Sequence, residues 1–319
     1  MKQIIAMTIT QLQYALAVAQ HNSFSKAAEY CHISQSTLSM QIKKLEQSLN
    51  VLIFDRTKKP VELTPIGAQI MEQAKIGLSE LDRIKDIVGA KQNEFPSSIK
   101  IGIIPTLSPY LLPLFLVPFI KKYPKVKVSI SELQTLEIID CLRSNDIDFG
   151  ILVTPLEDNT LTTQPLFYEP FLAYISEKHP LSRKAWVQSE DLKSEDFWLL
   201  ESGHCFREQT LKICQKTNFK ASSSLHFESG SLETLRNLVD GHYGYTLLPQ
   251  LATMKFDATQ KNRIRPFRTP IPVREVSLVC HQNYYKTNLR DILFKEIRTH
   301  IPDDLLEPKH ATKLITLDS

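Results

Sequence analysis

The sequence is poor in cysteine and lacks the long apolar runs of secreted and membrane proteins. Its five cysteines in 319 residues are too few and too scattered for a disulfide scaffold. The N-terminus, MKQIIAMTIT, has no apolar core long enough for a signal peptide, and no run of about 18 apolar residues could span a membrane. We therefore expect a cytoplasmic protein without membrane contact, in which a disulfide would be transient and regulatory.

Charge of one sign is also scarce, because the formal net charge is only +3. The protein as a whole is no polycation, so any contact with nucleic acid has to come from a local basic patch. A length of 319 residues suggests two or three domains, and a hydrophobic content of 42% is sufficient for ordinary buried cores. The chain shows no internal repeat and no low-complexity segment.

The N-terminal segment, residues 8–65, has the pattern of short helices followed by a hairpin. Ser25 is a plausible cap for the second helix and Ser34 for the third. After the first helix, the predicted elements are helices over 26–31 and 35–48 and strands over 51–54 and 61–63. A basic tip, RTKK, joins the two strands. This order predicts a winged helix-turn-helix domain.

Polar and basic residues are concentrated on the third helix and the hairpin. Glutamine and serine hydroxyls can bond to base edges in the major groove, whereas lysine and arginine meet phosphates or the minor groove. The candidate DNA-binding residues are Gln35, Ser36, Ser39, Lys43, Arg56 and Lys58. Taken singly, the polar residues among them could equally cap or solvate a helix.

A long helix is predicted over 66–92, after a Thr64-Pro65 start. Apolar or small residues recur at alternating spacings of four and three: Ile70, Ala74, Gly77, Leu81, Ile84 and Val88. Such an a/d seam predicts a coiled-coil dimer, although the helix could instead pack on its own domain. Residues 93–98 contain a proline and two serines and form a predicted hinge.

From residue 99 the pattern changes to strands alternating with helices, which predicts open α/β sheets with ligand sites at the strand ends. We expect a helix over 109–123 in spite of Pro113 and Pro118. The predicted divisions are lobe I, residues 99–168 and 271–303, lobe II, residues 169–270, and a C-terminal tail, residues 304–319. Within this tail we expect residues 307–319 to be weakly ordered.

The segment SGHCFREQTLKIC places two cysteines, Cys205 and Cys214, nine positions apart. The basic neighbours His204 and Arg207 and a nearby helix start are expected to lower the pKa of the Cys205 thiol. If the segment is helical, its rise puts the two Cα atoms roughly 13 Å apart, whereas a disulfide needs about 7 Å or less. The pair can bridge only if the local fold is rebuilt. The simpler alternative is two unrelated cysteines.

Several N-terminal motifs occur in one order: FSKAA, SQSTLS, FDR and LTPIG. With the rest of the architecture, they resemble the LysR-type transcriptional regulators. The resemblance implies a mixed α+β and α/β fold: a winged helix-turn-helix, a linker helix and a two-lobed effector domain like the periplasmic binding proteins. Asn50 stands where glycine is usual, and we expect the turn to survive because asparagine tolerates the left-handed conformation. Met40, where a basic residue is frequent, puts one possible DNA contact in doubt.

Within that family, the segments IPT, PYLLP, QT, GHC…C and SLETLRN resemble the branch that senses hydrogen peroxide. The resemblance implies that peroxide oxidises Cys205 to a sulfenic acid, which Cys214 resolves to a disulfide. The residues implied to bind peroxide are Thr106, Thr135, His204, Arg207 and Gln209. Plain helix capping is the alternative for the threonines. The branch often has an arginine on the strand around 276–280, and we assign that position to His281, which is only partly charged at neutral pH.

The resemblance also implies partners: double-stranded promoter DNA, RNA polymerase, hydrogen peroxide and further copies of the chain in a dimer of dimers. No metal and no cofactor is expected. One alternative is a LysR-type regulator that responds to a small metabolite bound between the lobes. Another is a thiol peroxidase, for which the DNA-binding domain would have no purpose. A periplasmic solute-binding protein would need a signal peptide.

Overall fold

The structure is a computed structural model that describes residues 7–91, 98–192, 196–214, 229–241, 243–282, 284, 287–308 and 312–316. The side chains of residues 79, 82–91 and 287 are not described. The chain forms two compact units, Met1–Glu94 and Phe95–Ser319. The predicted hinge falls at the boundary between them, and its residues 93–97 lie outside the described part of the chain.

The first unit is a three-helix domain with a short hairpin, followed by one long helix. Its elements are α1 (Ile9–His21), α2 (Phe24–Tyr30), α3 (Gln35–Leu49), β1 (Phe54–Asp55), β2 (Glu62–Leu63) and α4 (Pro65–Lys91). The helix α3 begins where the Ser34 hydroxyl accepts the Thr37 N–H at 3.2 Å, and it ends at Asn50 in the left-handed conformation. The fully buried side chains Leu38 and Ile42 of α3 belong to the core of the unit. The predicted helix and its turn are thus confirmed.

Two local predictions in this unit are wrong. The second helix begins two residues early because Ser23, not Ser25, caps it by accepting the Lys26 N–H. The two strands are only two residues long, with Phe54 paired to Leu63. Where a longer first strand was expected, a side chain replaces strand pairing. The buried carboxylate of Glu46 accepts the N–H of Ile53 at 2.9 Å and the N–H of Phe54 at 3.2 Å.

The long helix α4 starts at Pro65, where the Thr64 hydroxyl accepts the Gly67 N–H at 3.0 Å. Its first turns pack on their own domain, because Ala74 is buried in the core of the first unit and Ile70 packs against that core. Further along, Gly77 and Leu81 are exposed. The predicted seam therefore divides into a covered start and an open continuation, and the side chains of Ile84 and Val88 lie outside the description.

The second unit is built on strands and helices that alternate at first and then depart from the α/β pattern. The strands are β3 (Ser98–Ile103), β4 (Lys127–Glu132), β5 (Phe149–Thr154), β6 (Leu161–Ile175), β7 (Tyr245–Pro249), β8 (Ile264–Pro266), β9 (Ile271–His281) and β10 (Thr312–Leu314). The helices are α5 (Ser108–Lys122), α6 (Thr135–Arg143), α7 (Cys205–Ile213), α8 (Leu232–Asp240), α9 (Ala258–Asn262) and α10 (Thr287–Thr299). The helix α5 runs through both of its internal prolines, as predicted.

The sheet of this unit has the strand order β4-β3-β5-β9-β6-β7, with β10 on β9 and β8 on β6. The first three strands are parallel, whereas β9 runs antiparallel to both β5 and β6. Two separate apolar cores lie along the long strand β6. The buried side chains of β6 up to Phe167 belong to one core, which we call the first-lobe core. Those from Phe171 onwards belong to the other, the second-lobe core.

The C-terminal tail was predicted to be weakly ordered, and for residues 312–316 this is wrong. The strand β10 pairs in parallel with Ile271–Val273 of β9, and the N–H of Ile315 donates to the carbonyl of Val273 at 2.9 Å. The Ile315 side chain is buried in the second-lobe core. None of the described helices is long and apolar enough to cross a membrane.

Candidate redox site and DNA-binding surface

Cys205 is the first residue of α7, at the end of a turn that only glycine suits. Gly203 has a φ of +95°, and a Cβ at this position would lie 2.7 Å from the Gln134 side-chain oxygen. His204 is the N-cap residue, and Cys214 is the C-cap residue of the same helix. A helical rise of about 1.5 Å per residue separates the two cysteine Cα atoms by roughly 13 Å. All five cysteines lie in described residues and are thiols.

The two thiols are buried in different places. Cys205 belongs to the first-lobe core and Cys214 to the second-lobe core. Both are less than a tenth exposed. The helix α7 therefore lies across the junction of the two lobes with one cysteine anchored in each core, and no disulfide can form while it stays intact.

The electrostatic surroundings of Cys205 differ from the expectation of a lowered pKa. Burial raises the pKa of the Cys205 thiol above its usual range, since a thiolate is poorly solvated in this core. The charge of Arg274, the Thr135 hydroxyl and the backbone N–H groups at the start of α7 act in the opposite direction and lower that pKa. Burial is the larger effect, so the net change in the pKa of Cys205 is upward, but the groups that would stabilise its anion are in place.

Arg274 is the cation of the site, and the sequence analysis missed it. Its guanidinium is fully buried and donates to Glu169 Oε2 from Nη2 at 2.7 Å and from Nε at 2.9 Å. It also donates to Thr106 Oγ1 at 3.1 Å and lies 5.1 Å from the centre of the Phe206 ring. The other carboxylate oxygen of Glu169 accepts the Leu251 N–H at 2.8 Å. Each charge in this network is compensated, which is what allows it to be buried.

The assignment of this role to His281 is wrong. Arg274 lies seven residues earlier on the same strand β9, whereas His281 ends the strand, opposite Leu161. The sequence does contain a signal for this ion pair, because Arg274 and Glu169 each lie in a strand made mainly of apolar and proline residues. An unpaired charge buried in such a strand is costly, so each of the two charges calls for a partner. Nothing local in the sequence pairs them, because Glu169 and Arg274 are 105 positions apart.

The structure brings only part of the predicted peroxide set into contact with the thiol. Thr106 is buried and bound to Arg274, and Thr135 acts on Cys205 directly. His204 Nε2 lies 3.7 Å from Glu201 Oε1, and the Arg207 guanidinium donates to the Leu200 carbonyl. Neither basic group is among those that shift the pKa of Cys205. The charge that lowers the pKa of Cys205 is thus that of Arg274, and a role of His204 and Arg207 in binding peroxide stays a prediction.

Gln209 lies one helical turn after Cys205 on the same face of α7 and is fully buried. Its Nε2 donates to the carbonyl of Ile315 at 2.6 Å. Its Oε1 is buried without a hydrogen-bond partner among the described residues. The Thr135 hydroxyl is close enough to Cys205 to lower the pKa of that thiol, but it too makes no hydrogen bond of normal geometry to a described residue. Buried polar atoms are nearly always satisfied, so each of these two atoms is available to a small hydrogen-bonding molecule that reaches it. No group of residues in the described ranges is arranged to hold a metal ion.

The candidate DNA-binding residues lie on α3 and on the loop between β1 and β2. Gln35, Ser36 and Lys43 are exposed on α3, and a hydrogen bond of 3.0 Å joins the hydroxyls of Ser36 and Ser34. Met40 is half exposed on the same helix. An exposed N-terminal end of a helix that carries polar side chains can enter a major groove.

Both candidate DNA-binding residues of the hairpin have partners inside the domain. Arg56 makes an ion pair of 2.8 Å with the buried Glu46, reaches the Ser39 hydroxyl at 3.5 Å and lies 5.0 Å from the centre of the Phe24 ring. Lys58 pairs with Glu62 at 2.5 Å, and both are exposed. Arg56 thus braces the hairpin against α3, while the exposed charge of Lys58 can exchange its partner for a phosphate at little cost.

Two family descriptions match the chain. The bacterial regulatory helix-turn-helix protein of the lysR family matches residues 9–68, and the LysR substrate binding domain matches residues 92–301. A hydrogen peroxide-inducible genes activator of Dickeya chrysanthemi is 35% identical over 92% of this chain and 96% of that relative. The DNA-binding transcriptional dual regulator OxyR of Escherichia coli K12 is 37% identical over 86% of this chain and 89% of its own.

Solved structures agree with these relatives. A full-length OxyR cysteine variant from Pseudomonas aeruginosa superposes with a TM-score of 0.76 at 35% identity, covering 92% of this chain and 99% of that one. A cysteine variant of OxyR from Corynebacterium glutamicum with hydrogen peroxide bound has a TM-score of 0.60 at 26% identity, with 92% of each chain covered.

Proposed function

This chain belongs to the LysR family of bacterial helix-turn-helix regulators, and on that premise we propose that it is a DNA-binding transcriptional regulator that senses hydrogen peroxide. The sensor is the pair Cys205 and Cys214, which forms a reversible disulfide. The protein is a stoichiometric switch and not a turnover enzyme. Relatives that align with 92% and 86% of this chain, at 35% and 37% identity, are a hydrogen peroxide-inducible genes activator and the regulator OxyR, and they support this function.

The observation that carries the proposal is the surroundings of Cys205. The charge of the fully buried Arg274 and the Thr135 hydroxyl both act on the buried Cys205 thiol. Gln209, one helical turn further along α7, adds a second buried polar atom, Oε1, that like Thr135 Oγ1 has no hydrogen-bond partner among the described residues. Hydrogen peroxide is small enough for such a site, and it can both donate and accept hydrogen bonds. Larger hydroperoxides would have to displace the surrounding core.

The chemistry has two steps. The Cys205 thiolate attacks one peroxide oxygen, the O–O bond breaks, and the leaving hydroxide takes a proton to become water, so that the sulfur is left as a sulfenic acid. The Cys214 thiol then attacks the Cys205 sulfur and displaces a second water, which leaves a disulfide. Arg274 and the Thr135 hydroxyl stabilise the thiolate and thereby oppose the effect of burial, which raises the pKa of Cys205.

The second step has to rebuild the helix. Intact α7 holds the two Cα atoms roughly 13 Å apart, and a disulfide requires about 7 Å or less. Unwinding α7 withdraws one cysteine from its core, and the lobes must repack around it. A local covalent change thereby selects between two arrangements of the second unit.

The first unit provides the DNA contacts and the partner helix. Gln35, Ser36 and Lys43 meet promoter DNA in the major groove, and the open continuation of the α4 seam at Gly77 and Leu81 pairs with a second copy. Two such dimers form the complete assembly, which acts with RNA polymerase in the cytoplasm. Repacking of the second unit changes how copies pair and so resets the spacing of the DNA-reading helices.

A regulator responding to an anionic metabolite is the second candidate, but no observation favours it. The cation beside the thiol, Arg274, is already neutralised by Glu169. An anion would have to displace a buried carboxylate to use it.

The proposal is tested by expression profiling with and without a brief peroxide dose, in strains carrying the wild type, Cys205→Ser or Cys280→Ser. Cys280 is a matched control because burial raises the pKa of its thiol too, yet it belongs to the strand β9 and not to α7. We expect a set of promoters to respond in the wild type and in Cys280→Ser, and the response to be lost in Cys205→Ser. A response that persists in Cys205→Ser would contradict the peroxide switch.

A further inference from the structure

The tail residues 312–316 connect two parts of the redox site that are far apart in sequence. On one side, β10 pairs with Ile271–Val273, and the N–H of Ile315 donates to the carbonyl of Val273 at 2.9 Å. The next residue on that strand is Arg274, the cation of the site. The tail is therefore fixed to the backbone that positions Arg274.

On its other side the tail is bound to α7 by two side chains that lie between the cysteines. Gln209 Nε2 donates to the Ile315 carbonyl at 2.6 Å, and Lys212 Nζ donates to the Thr316 carbonyl at 2.7 Å. The Ile315 side chain is buried in the second-lobe core, which also contains Cys214. Both hydrogen bonds need the helical arrangement of α7, since the donors are presented three residues apart on one helix.

Taking the peroxide switch as given, we propose that the C-terminal tail is a positioning element that clamps α7 in the dithiol state and is released when the disulfide forms. Bridging Cys205 and Cys214 unwinds the helix between them, and that helix carries both donors to the tail. The contacts to the Ile315 and Thr316 carbonyls are lost in that step. The tail consequently stabilises the dithiol against the disulfide and sets how readily the pair is oxidised.

A second consequence concerns the first chemical step. The bond from Nε2 to the tail fixes the side chain of Gln209, so its Oε1 is held buried and without a partner. Undocking the tail frees this amide. Sulfenic acid formation at Cys205 should then slow, whereas closure of the disulfide should become more favourable.

The decisive variant is Ile315→Asp in the full-length chain, since a carboxylate is not tolerated in the second-lobe core and expels the tail. Lys313→Asp is the control, because it introduces the same acidic side chain at an exposed position two residues away. It changes the net charge by two units instead of one, so an effect of charge alone would be at least as large there. Lys212→Met removes one of the two donors and keeps the aliphatic stem, and Lys212→Arg restores a donor. The disulfide fraction of the Cys205–Cys214 pair is measured by mass spectrometry across dithiothreitol redox buffers.

We expect the equilibrium constant of Ile315→Asp to move at least about tenfold towards the disulfide, which is about 30 mV more negative for a two-electron couple. Lys212→Met should move it severalfold in the same direction. Lys313→Asp and Lys212→Arg should match the wild type. If the wild type forms the bridge and Ile315→Asp has the same midpoint, the tail clamp is refuted and the switch stands. If the wild type forms no bridge in any buffer, the switch itself fails.

Hydrogen exchange on the wild type keeps the proposal testable even if a variant fails to fold. The Ile315 amide, bonded to Val273, should be protected in the dithiol form and exchange much faster after oxidation. Equal protection in both forms would overturn the proposal, because the tail would then stay docked throughout.

Discussion

Removal of the Arg274 guanidinium tests how the site keeps a charge buried. In Arg274→Met, Glu169 keeps its bond from the Leu251 N–H but loses two hydrogen bonds from the guanidinium, and Thr106 loses two, one at its hydroxyl and one at its carbonyl. Breaking a buried pair on one side costs about 3–5 kcal/mol, because a charge is left uncompensated. For a unit of this size, each kcal/mol lowers the melting temperature by about 2–4 °C, so we expect a decrease of about 6–20 °C.

The double variant Glu169→Gln with Arg274→Met separates stability from reactivity. It removes both charges, so it should recover at least about 2 kcal/mol relative to Arg274→Met, since buried pairs are often replaceable by neutral side chains. The Cys205 thiolate still lacks its cation. Loss of one preorganised group that stabilises a reacting charge typically slows a reaction by about 10²–10³, and we expect the peroxide reaction to slow at least tenfold.

Thermal unfolding of the reduced full-length proteins measures the first effect. Stopped-flow oxidation in a Cys214→Ser background, where the reaction ends at the sulfenic acid, measures the second. Cys280→Ser serves as the reference for a buried thiol outside the site. A single variant within about 1 kcal/mol of the wild type would refute the paired burial, and a double variant reacting at the wild-type rate would refute the role of Arg274.

Three further outcomes follow from the same contacts. Thr135→Val should slow Cys205 oxidation about tenfold, in keeping with the loss of a hydrogen bond to a charged group, while Thr135→Ser retains the rate; equal rates for all three proteins would contradict a role for the hydroxyl. Because the folded state raises the pKa of Cys205 above the ordinary thiol value of 9.0, the unfolded thiol ionises first as the pH rises. The free energy of unfolding of the reduced protein should therefore decrease from about pH 9 upwards. Urea unfolding at a series of pH values measures this decrease, which should be shallower in Cys205→Ser. Lys43→Ala should weaken binding to all DNA sequences and reduce the salt slope by about one, with the exposed Lys125→Ala as control; an unchanged slope would place Lys43 outside the interface.

The elements that could be predicted from sequence are those determined locally. The helix α3 follows from the cap at Ser34 and apolar residues at helical spacing, and Asn50 ends it in the conformation expected. Its neighbour α2 was misplaced by two residues because Ser23 and Ser25 are equally good caps in sequence. Only the observed bond from Lys26 N–H to Ser23 distinguishes them.

The elements that could not be predicted depend on distant partners. The strand β6 passes Pro165 and Pro170, residues that argue against a strand. A bulge near Pro165 and the pairing with β9 accommodate them. Likewise, the tail has no strand pattern of its own, and the edge of β9 orders it. The pairing of Arg274 with Glu169 joins two strands, so the charge beside Cys205 was assigned instead to its sequence neighbours.

The most direct test of the switch is peptide mass spectrometry under non-reducing conditions after a brief, stoichiometric dose of hydrogen peroxide. We expect a linked peptide that contains Cys205 and Cys214, is absent in Cys205→Ser and is cleaved by dithiothreitol. Cys205 left as a thiol, with oxidation spread over Cys31 and Cys280, would contradict it.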